Sequence, residues 1–302
     1  MNKKKILVVD DYTEDFFDEL AKYGKVVKAS EIDDRVQLDD VNILVVRSKT
    51  KVDKSLVDKM RNLEFVITTT HGVDHICVDY LKEKMIECYN APVQSYDIAQ
   101  GVMAYVLAFS TKLLEGDRSM KRGEWKKKEL KGFRIKGKTL GIIGYGRIGR
   151  EVAKMAKGLE MKVVTYDPYV KESEFAVTLD ELLETSDFIT MHLPLTDETR
   201  GMIGKKEIGK MKDGAYVINT ARGGIIDERV LLNALDEGKL GGAALDVCEH
   251  QPPFQNEVSN RLVKHERVIA TPHSIGQSGE AVEEKGKRVI EFIKALQQIK
   301  PS

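Results

Sequence analysis

Cysteine is scarce: Cys77, Cys88 and Cys248 are the only three in 302 residues. They are scattered without a Cys-x-x-Cys pair, and an odd number cannot all pair within one chain. That argues against a disulfide framework or a cysteine-built zinc site, so no metal is expected and a reducing, cytoplasmic setting fits best. Net charge is absent too, with 48 basic side chains facing 48 acidic ones. Without a long-range field, neither nucleic acid nor an anionic membrane is expected among the partners. No apolar run reaches bilayer-spanning length, and Ile6 to Val9 behind the N-terminal lysines is far too short for a signal peptide. With seven prolines, no internal repeat and no low-complexity tract, a flexible linker is not indicated either.

What is present is a chain about twice the usual single-domain length, 42% hydrophobic, which rules out disorder and predicts two lobes with separate cores. Short β-branched runs alternate with helical patterns throughout, the pattern of parallel sheets with crossover helices. Ile6–Val9, Val26–Val27, Ile43–Val46, Phe65–Thr68 and Ile86–Tyr89 predict one sheet, with a helix over Thr13 to Tyr23. Thr139–Ile143, Lys162–Tyr166, Phe188–Met191, Ala215–Ile218, Ala243–Val247 and Val268–Ala270 predict a second, with helices such as Leu179–Glu184 and Glu228–Glu237. Between them Tyr96 to Leu114 reads as one long helix, followed by a basic, glycine-punctuated loop over Lys121 to Lys138. That helix is too hydrophobic to leave bare, so a homodimer is expected to use its surface. The last helix, Glu280 to Gln298, is free to return to the first lobe. The expected fold is α/β, two doubly wound parallel-sheet lobes, one flavodoxin-like and one Rossmann-like, with a cleft between them. The first lobe is expected to comprise residues 1–91 and 272–302 and the second 92–271, with hinges near Pro92 and Pro272.

Gly144-Tyr145-Gly146-Arg147-Ile148-Gly149 satisfies G-x-G-x-x-G, follows a five-residue apolar strand and opens a helical pattern. Gly144 permits the tight turn, Gly146 lets the backbone approach a pyrophosphate, and Gly149 lets helix and strand pack closely. The helix start at Arg147 and Ile148 offers free N–H groups and the positive end of its dipole to phosphate. The next strand ends at Asp167, placed to accept hydrogen bonds from ribose hydroxyls and to repel a 2′-phosphate. The expected cofactor is therefore NAD rather than NADP.

Three further segments fall at strand ends of the second sheet: Asn219-Thr220-Ala221-Arg222-Gly223-Gly224, Ala244-Leu245-Asp246-Val247 and Thr271-Pro272-His273-Ser274-Ile275-Gly276. Together with the glycine fingerprint and Met191-His192-Leu193-Pro194, they make the chain resemble the D-isomer-specific 2-hydroxyacid dehydrogenases over nearly its whole length. The resemblance implies that Arg222 grips the substrate carboxylate and carbonyl oxygen, a bidentate fork suited to a 2-oxo acid. It implies that His273 gives its proton to the developing alkoxide and takes it back on oxidation. It further implies that Asp246 orients the nicotinamide carboxamide, that Leu193, Thr220, Ala221 and Ser274 to Gly276 line the cofactor beside Arg222 and His273, and that backbone N–H groups at Gly72 and Val73 face the substrate carboxylate. His192 is expected to pack or hydrogen-bond at its strand end; His71 and His75 are left without a role.

One position departs from the family, which usually has a glutamate paired with the histidine where this chain has Gln251. An amide orients an imidazole but cannot stabilise its positive charge. Either a Gln251–His273 pair works best at lower pH, or Glu249 takes over, or catalysis is weak and the chain is an NAD(H)-binding regulator or scaffold. Formate dehydrogenases, a branch of the same superfamily, carry a glutamine at this place, so formate-type chemistry is a further alternative. Asp97-Ile98-Ala99-Gln100, where the family often has Val-Ala-Glu, is expected to alter a local contact only. Val46-Arg47-Ser48-Lys49-Thr50 resembles the segment of D-3-phosphoglycerate dehydrogenases in which the arginine reaches the substrate. The expected substrate is 3-phosphoglycerate, narrowly ahead of glycerate with hydroxypyruvate, or glyoxylate. No appended regulatory domain is expected.

Overall fold

The computed structural model describes residues 3–10, 12–33, 36–70, 72–170 and 173–299. The chain divides into two compact units, Met1–Gln94 with Gln277–Ser302, and Ser95–Gly276. In chain order the first comprises β1 (Lys5–Val9), α1 (Glu14–Leu20), β2 (Lys25–Ala29), β3 (Val41–Val46), α2 (Lys54–Lys59), β4 (Phe65–Thr68), α3 (Val78–Glu83) and β5 (Glu87–Asn90). The second comprises α4 (Ser95–Thr111), α5 (Leu113–Lys121), β6 (Thr139–Ile143), α6 (Arg147–Gly158), β7 (Lys162–Tyr166), α7 (Leu179–Thr185), β8 (Phe188–Met191), α8 (Lys205–Lys210), β9 (Ala215–Asn219), α9 (Glu228–Asp236), β10 (Leu240–Leu245), α10 (Glu257–Lys264) and β11 (Val268–Ala270). The last helix, α11 (Gly279–Ile299), belongs to the first unit.

In the first unit all pairings are parallel, in the order β2-β1-β3-β4-β5. Side chains alternate across the sheet: Ile6 and Val8 of β1 enter one core with Phe16, Phe17, Val289 and Ile293, while Leu7 and Val9 enter the other with Val57 and Leu81. Helices cover both faces, so the strands read as continuous apolar runs. α11 closes the first core, with Phe292 stacked on Tyr89 at 3.8 Å between ring centroids.

The second unit holds a six-stranded parallel sheet, β11-β10-β9-β8-β6-β7, again with a core on each face. Strand order reverses between β6 and β8, the switch point at which open α/β sheets form a crevice beyond their carboxyl ends. The boundary between units falls after Gly276, not after Thr271. The 271–275 segment is tied to the second sheet because the Asp246 carboxylate accepts from Thr271 Oγ1, Ser274 N and Ile275 N. At the other end it falls after Gln94, a shift of three residues from Ala91.

The expected single helix over Tyr96 to Leu114 is two helices. Lys112 breaks it in a left-handed conformation, φ +56°. The cause is distant in sequence: the Ser110 carbonyl, which a continuing helix would offer to residue 114, accepts instead from Phe133 N at 2.8 Å. Gly132 makes that approach possible, since a Cβ there would lie 2.2 Å from the Ser110 oxygen. Most of α4 is buried within its own unit, including Val102, Tyr105, Val106 and Phe109. Among the described residues no helix is long and apolar enough to cross a membrane.

Candidate active site

The glycine turn after β6 is built as its spacing requires. Gly144 has φ +94°, and a Cβ on it would lie 2.5 Å from the carbonyl oxygen of His192, so the loops after β6 and β8 meet at the switch point. A Cβ on Gly149 would lie 2.3 Å from the Gly144 oxygen, whereas nothing lies within 4 Å of the corresponding position at Gly146. Gly144 and Gly149 are thus fixed by protein packing, while Gly146 leaves room for a ligand. Gly146 caps α6, which begins with Arg147 and Ile148 and has no side-chain hydrogen bond at its N-terminus. Asp167 closes the loop: its carboxylate accepts from Tyr145 N at 2.8 Å and from Tyr169 N at 2.9 Å.

After β9, Asn219 folds the turn that displays the arginine. Its amide donates to Arg222 O at 2.8 Å, and its carbonyl oxygen accepts from Ala221 N at 3.0 Å. Arg222 Nη1 donates to Ala221 O at 2.7 Å. Thr220 Oγ1 is buried with no hydrogen-bond partner, a costly arrangement that a ligand hydroxyl or amide would relieve. With the open space at Gly146 and the helix N-terminus, that orphan hydroxyl makes the residues present fit a dinucleotide. Leu193 follows β8 beside Gly144, Ala221 is buried, and Gly276 is buried at the end of the histidine loop.

After β10, Asp246 organises the next segment. Its Oδ1 accepts from Thr271 Oγ1 at 2.5 Å, Ser274 N at 2.9 Å and Ile275 N at 3.2 Å, and Tyr105 OH lies 2.6 Å from Thr271 Oγ1. The chain therefore uses Asp246 to shape the loop after β11, a role that the resemblance did not imply. His273 sits in that loop with φ +54°, a conformation that non-glycine residues rarely adopt, held by its own N–H donating to Asp246 O at 2.9 Å.

His273 Nδ1 lies 3.2 Å from Gln251 Oε1, and Gln251 Nε2 donates to Cys248 O at 3.2 Å. The second bond fixes the first: with the amide nitrogen turned to Cys248, its oxygen faces the imidazole, so Nδ1 carries the proton and Nε2 is the basic nitrogen. The ring keeps an open edge, yet crowding by surrounding protein lowers its pKa. The Asp246 carboxylate opposes that shift, and the Arg222 guanidinium adds to it. Arg222, Asp246, Gln251 and His273 thus come together. Glu249 instead gives its backbone N–H to Glu228, at 2.7 Å. His192 Nε2 lies 3.1 Å from Thr190 Oγ1, within the hydrogen-bonding role expected of it.

Arg47, Gly72 and Val73 lie in the first unit, after the neighbouring strands β3 and β4. Arg47 lines a cavity of about 450 Å³ with Asp10, Tyr12, Thr13, Ser48 and Lys49. Thr70 Oγ1 donates to Gly72 O at 2.6 Å, and Thr68 Oγ1 lies 3.5 Å from His75 Nε2. His71 lies outside the described residues. Among the described residues no cluster of His, Cys, Asp and Glu is arranged to hold a metal, and all three cysteines are free.

Residues 103–274 match the D-isomer specific 2-hydroxyacid dehydrogenase, NAD binding domain. The chain belongs to that family. It is 39% identical to a hydroxypyruvate reductase of Thermotoga maritima over 97% of this chain and 92% of the relative. It is 41% identical to a D-3-phosphoglycerate dehydrogenase of Methanocaldococcus jannaschii over 97% of this chain, but spans only 57% of that protein's length. Its fold is similar to that of D-lactate dehydrogenase from Aquifex aeolicus complexed with NAD and lactic acid, with a TM-score of 0.86, 30% identity and coverage of 97% and 95% of the two chains. The residues absent from the sequence reading of the site, Tyr105 and Glu228, act through contacts distant in sequence, and no local motif marks them.

Proposed function

We propose that this family member is an NAD-dependent dehydrogenase that interconverts a D-2-hydroxy acid and its 2-oxo acid. The observation that carries the reading is the cluster of His273, Gln251 and Arg222 at the strand ends, with the imidazole's Nδ1 engaged by Gln251 Oε1. Bound nicotinamide supplies or accepts the hydride. Arg222 holds the substrate carboxylate and stabilises negative charge developing on the carbonyl oxygen. In reduction, protonated His273 donates from Nε2 to the nascent alkoxide; in oxidation, the neutral ring accepts the hydroxyl proton at Nε2 and keeps the Nδ1 proton on Gln251. The adenosine ribose falls to Asp167 and the pyrophosphate to the turn at Gly146, Arg147 and Ile148.

Arg47 and Lys49 set two cations against the one carboxylate of Asp10, beside hydroxyl groups of Tyr12, Thr13 and Ser48, and that net positive lining favours a substrate with a second anionic group. On that ground 3-phosphoglycerate ranks ahead of glycerate and of glyoxylate. A second reading, hydride abstraction from formate, is favoured by the Gln251–His273 contact alone. The experiment follows NADH oxidation across pH with 3-phosphohydroxypyruvate, hydroxypyruvate, glyoxylate and pyruvate in parallel, and NAD reduction with formate. Turnover of an oxo acid supports the reading. Tight NADH binding without turnover of any substrate overturns it in favour of a regulator.

A cytoplasmic location is part of this proposal, resting on cysteine usage. So is a homodimer, but for a different reason from the one given by sequence. Most of α4 is covered by its own unit, and exposed apolar side chains on it and on the following segment include Tyr96, Leu107, Leu113, Met120 and Trp125, exposed by 60%, 41%, 62%, 57% and 76%. A monomer in solution scattering contradicts it.

A further inference from the structure

A buried carboxylate lies against the loop that carries Gln251. Glu228, the first residue of α9, is 8% exposed. One carboxylate oxygen accepts from Glu249 N at 2.7 Å and the other from Ser259 Oγ at 2.5 Å. It thus bridges three segments: the helix that follows the Arg222 turn, the loop after β10, and α10. The Arg222 turn that precedes the helix and the loop after β10 touch directly, since a Cβ on Gly223 would lie 2.0 Å from Cys248 O. Burial pushes the Cys248 thiol up to about 11, and the Glu228 charge adds to that shift, as expected of an anion set beneath this loop.

From Glu228 an unbroken series of contacts runs to the imidazole. Its carboxylate holds Glu249 N; the adjoining residue's carbonyl, Cys248 O, accepts from Gln251 Nε2; and Gln251 Oε1 faces His273 Nδ1. We propose that Glu228 is a positioning residue, clamping the Cys248–Gln251 loop so that the Gln251 amide has one orientation and His273 one tautomer. An amide released from Cys248 O can rotate by half a turn and present its N–H₂ to the ring, which then holds its proton on Nε2 and has no base facing the substrate hydroxyl. The expression of this device in turnover rests on the proposed dehydrogenase reading; the tautomer itself does not.

The test therefore reads both. The imidazole ¹⁵N shifts of His273 report its tautomer in the NADH-bound protein, and steady-state kinetics with the best oxo acid report kcat and KM. Glu228→Ala is expected to give a mixture of tautomers and a kcat about tenfold lower, a change on the order of 1.4 kcal/mol, with the Kd for NADH changed less than twofold. Glu228→Gln, which can still accept from Glu249 N and pair with the Ser259 hydroxyl, is expected to restore the single Nδ1–H tautomer. Glu228→Asp keeps the charge at the start of α9 but is one methylene too short to reach both partners. It is expected to behave like Glu228→Ala, and it carries the test if the alanine variant does not fold. A single unchanged tautomer in both Glu228→Ala and Glu228→Asp, or in Glu228→Asp alone when the alanine variant does not fold, overturns the proposal. A tautomer change in a protein that turns over no oxo acid upholds it while the dehydrogenase reading fails.

Discussion

His273 Nδ1 and Gln251 Oε1 stand 3.2 Å apart, a neutral acceptor in the place where most of the family has a carboxylate. A neutral partner orients the ring without favouring its charged form. Crowding by surrounding protein already lowers the His273 pKa, with Arg222 adding to the shift and Asp246 opposing it. Reduction needs imidazolium, so its rate is lost as pH rises through that lowered pKa, while oxidation needs the neutral ring and gains over the same range. Replacing Gln251 by Glu puts an anion on Nδ1 and is expected to move both limbs upward by about one pH unit, equivalent to 1.36 kcal/mol. The pH profile of kcat/KM for oxo-acid reduction checks this; an unmoved profile means the pair does not govern the proton.

The glycine turn gives a contrast between two methyl groups. Gly146→Ala adds a Cβ to open space at a cap with φ −78°, so the free protein should lose no more than about 1 kcal/mol. NADH binding should nonetheless weaken roughly tenfold or more, since the added carbon occupies the approach of the pyrophosphate. Gly149→Ala puts its Cβ 2.3 Å from the Gly144 oxygen and should cost about 1–3 kcal/mol of stability before any ligand is added. Thermal denaturation with and without NADH separates the two cases.

The Asp167 carboxylate accepts two backbone N–H groups, from Tyr145 and Tyr169, and in the proposed function its charge also repels a 2′-phosphate. Asp167→Asn keeps one acceptor oxygen and removes the charge. The ratio of kcat/KM for NADH over NADPH should fall roughly tenfold. A ratio that stays constant assigns cofactor choice elsewhere.

Much of this was legible because it is local. G-x-G-x-x-G after an apolar strand fixes Gly144, Gly146 and Gly149 through backbone sterics that act within six residues. Both sheets were legible for a related reason: strands buried on two faces are apolar throughout, as in Ile6 to Val9. The break at Lys112 was not, because Phe133 takes the Ser110 carbonyl from more than twenty residues away. The early start of β10 was hidden by Gly241 and Gly242, which look like loop residues but are required by the close approach of Gly214 O and Arg267 O. Short helices such as α8 and α10 carry too few turns for a periodic signal. The Glu228 clamp is invisible for the same reason as the break: its partners Glu249 and Ser259 are 21 and 31 residues distant.

Arg47 tests substrate choice independently of the chemistry. If its cavity takes a second anionic group, Arg47→Ala should raise KM for 3-phosphohydroxypyruvate about tenfold or more, and leave KM for glyoxylate within about twofold. Equal effects on both substrates would make Arg47 a structural residue.

The central claim is hydride transfer to the C2 carbon of an oxo acid with a proton delivered by His273. The most direct measurement uses NADH carrying deuterium at its transferable C4 position, with 3-phosphohydroxypyruvate and hydroxypyruvate, followed by mass and chiral analysis of the product. The account predicts a D-2-hydroxy acid with one deuterium at C2, formed by the wild-type protein and at least about a hundredfold more slowly by His273→Ala. Undeuterated or absent product, with the labelled NADH recovered intact from the protein, would contradict it.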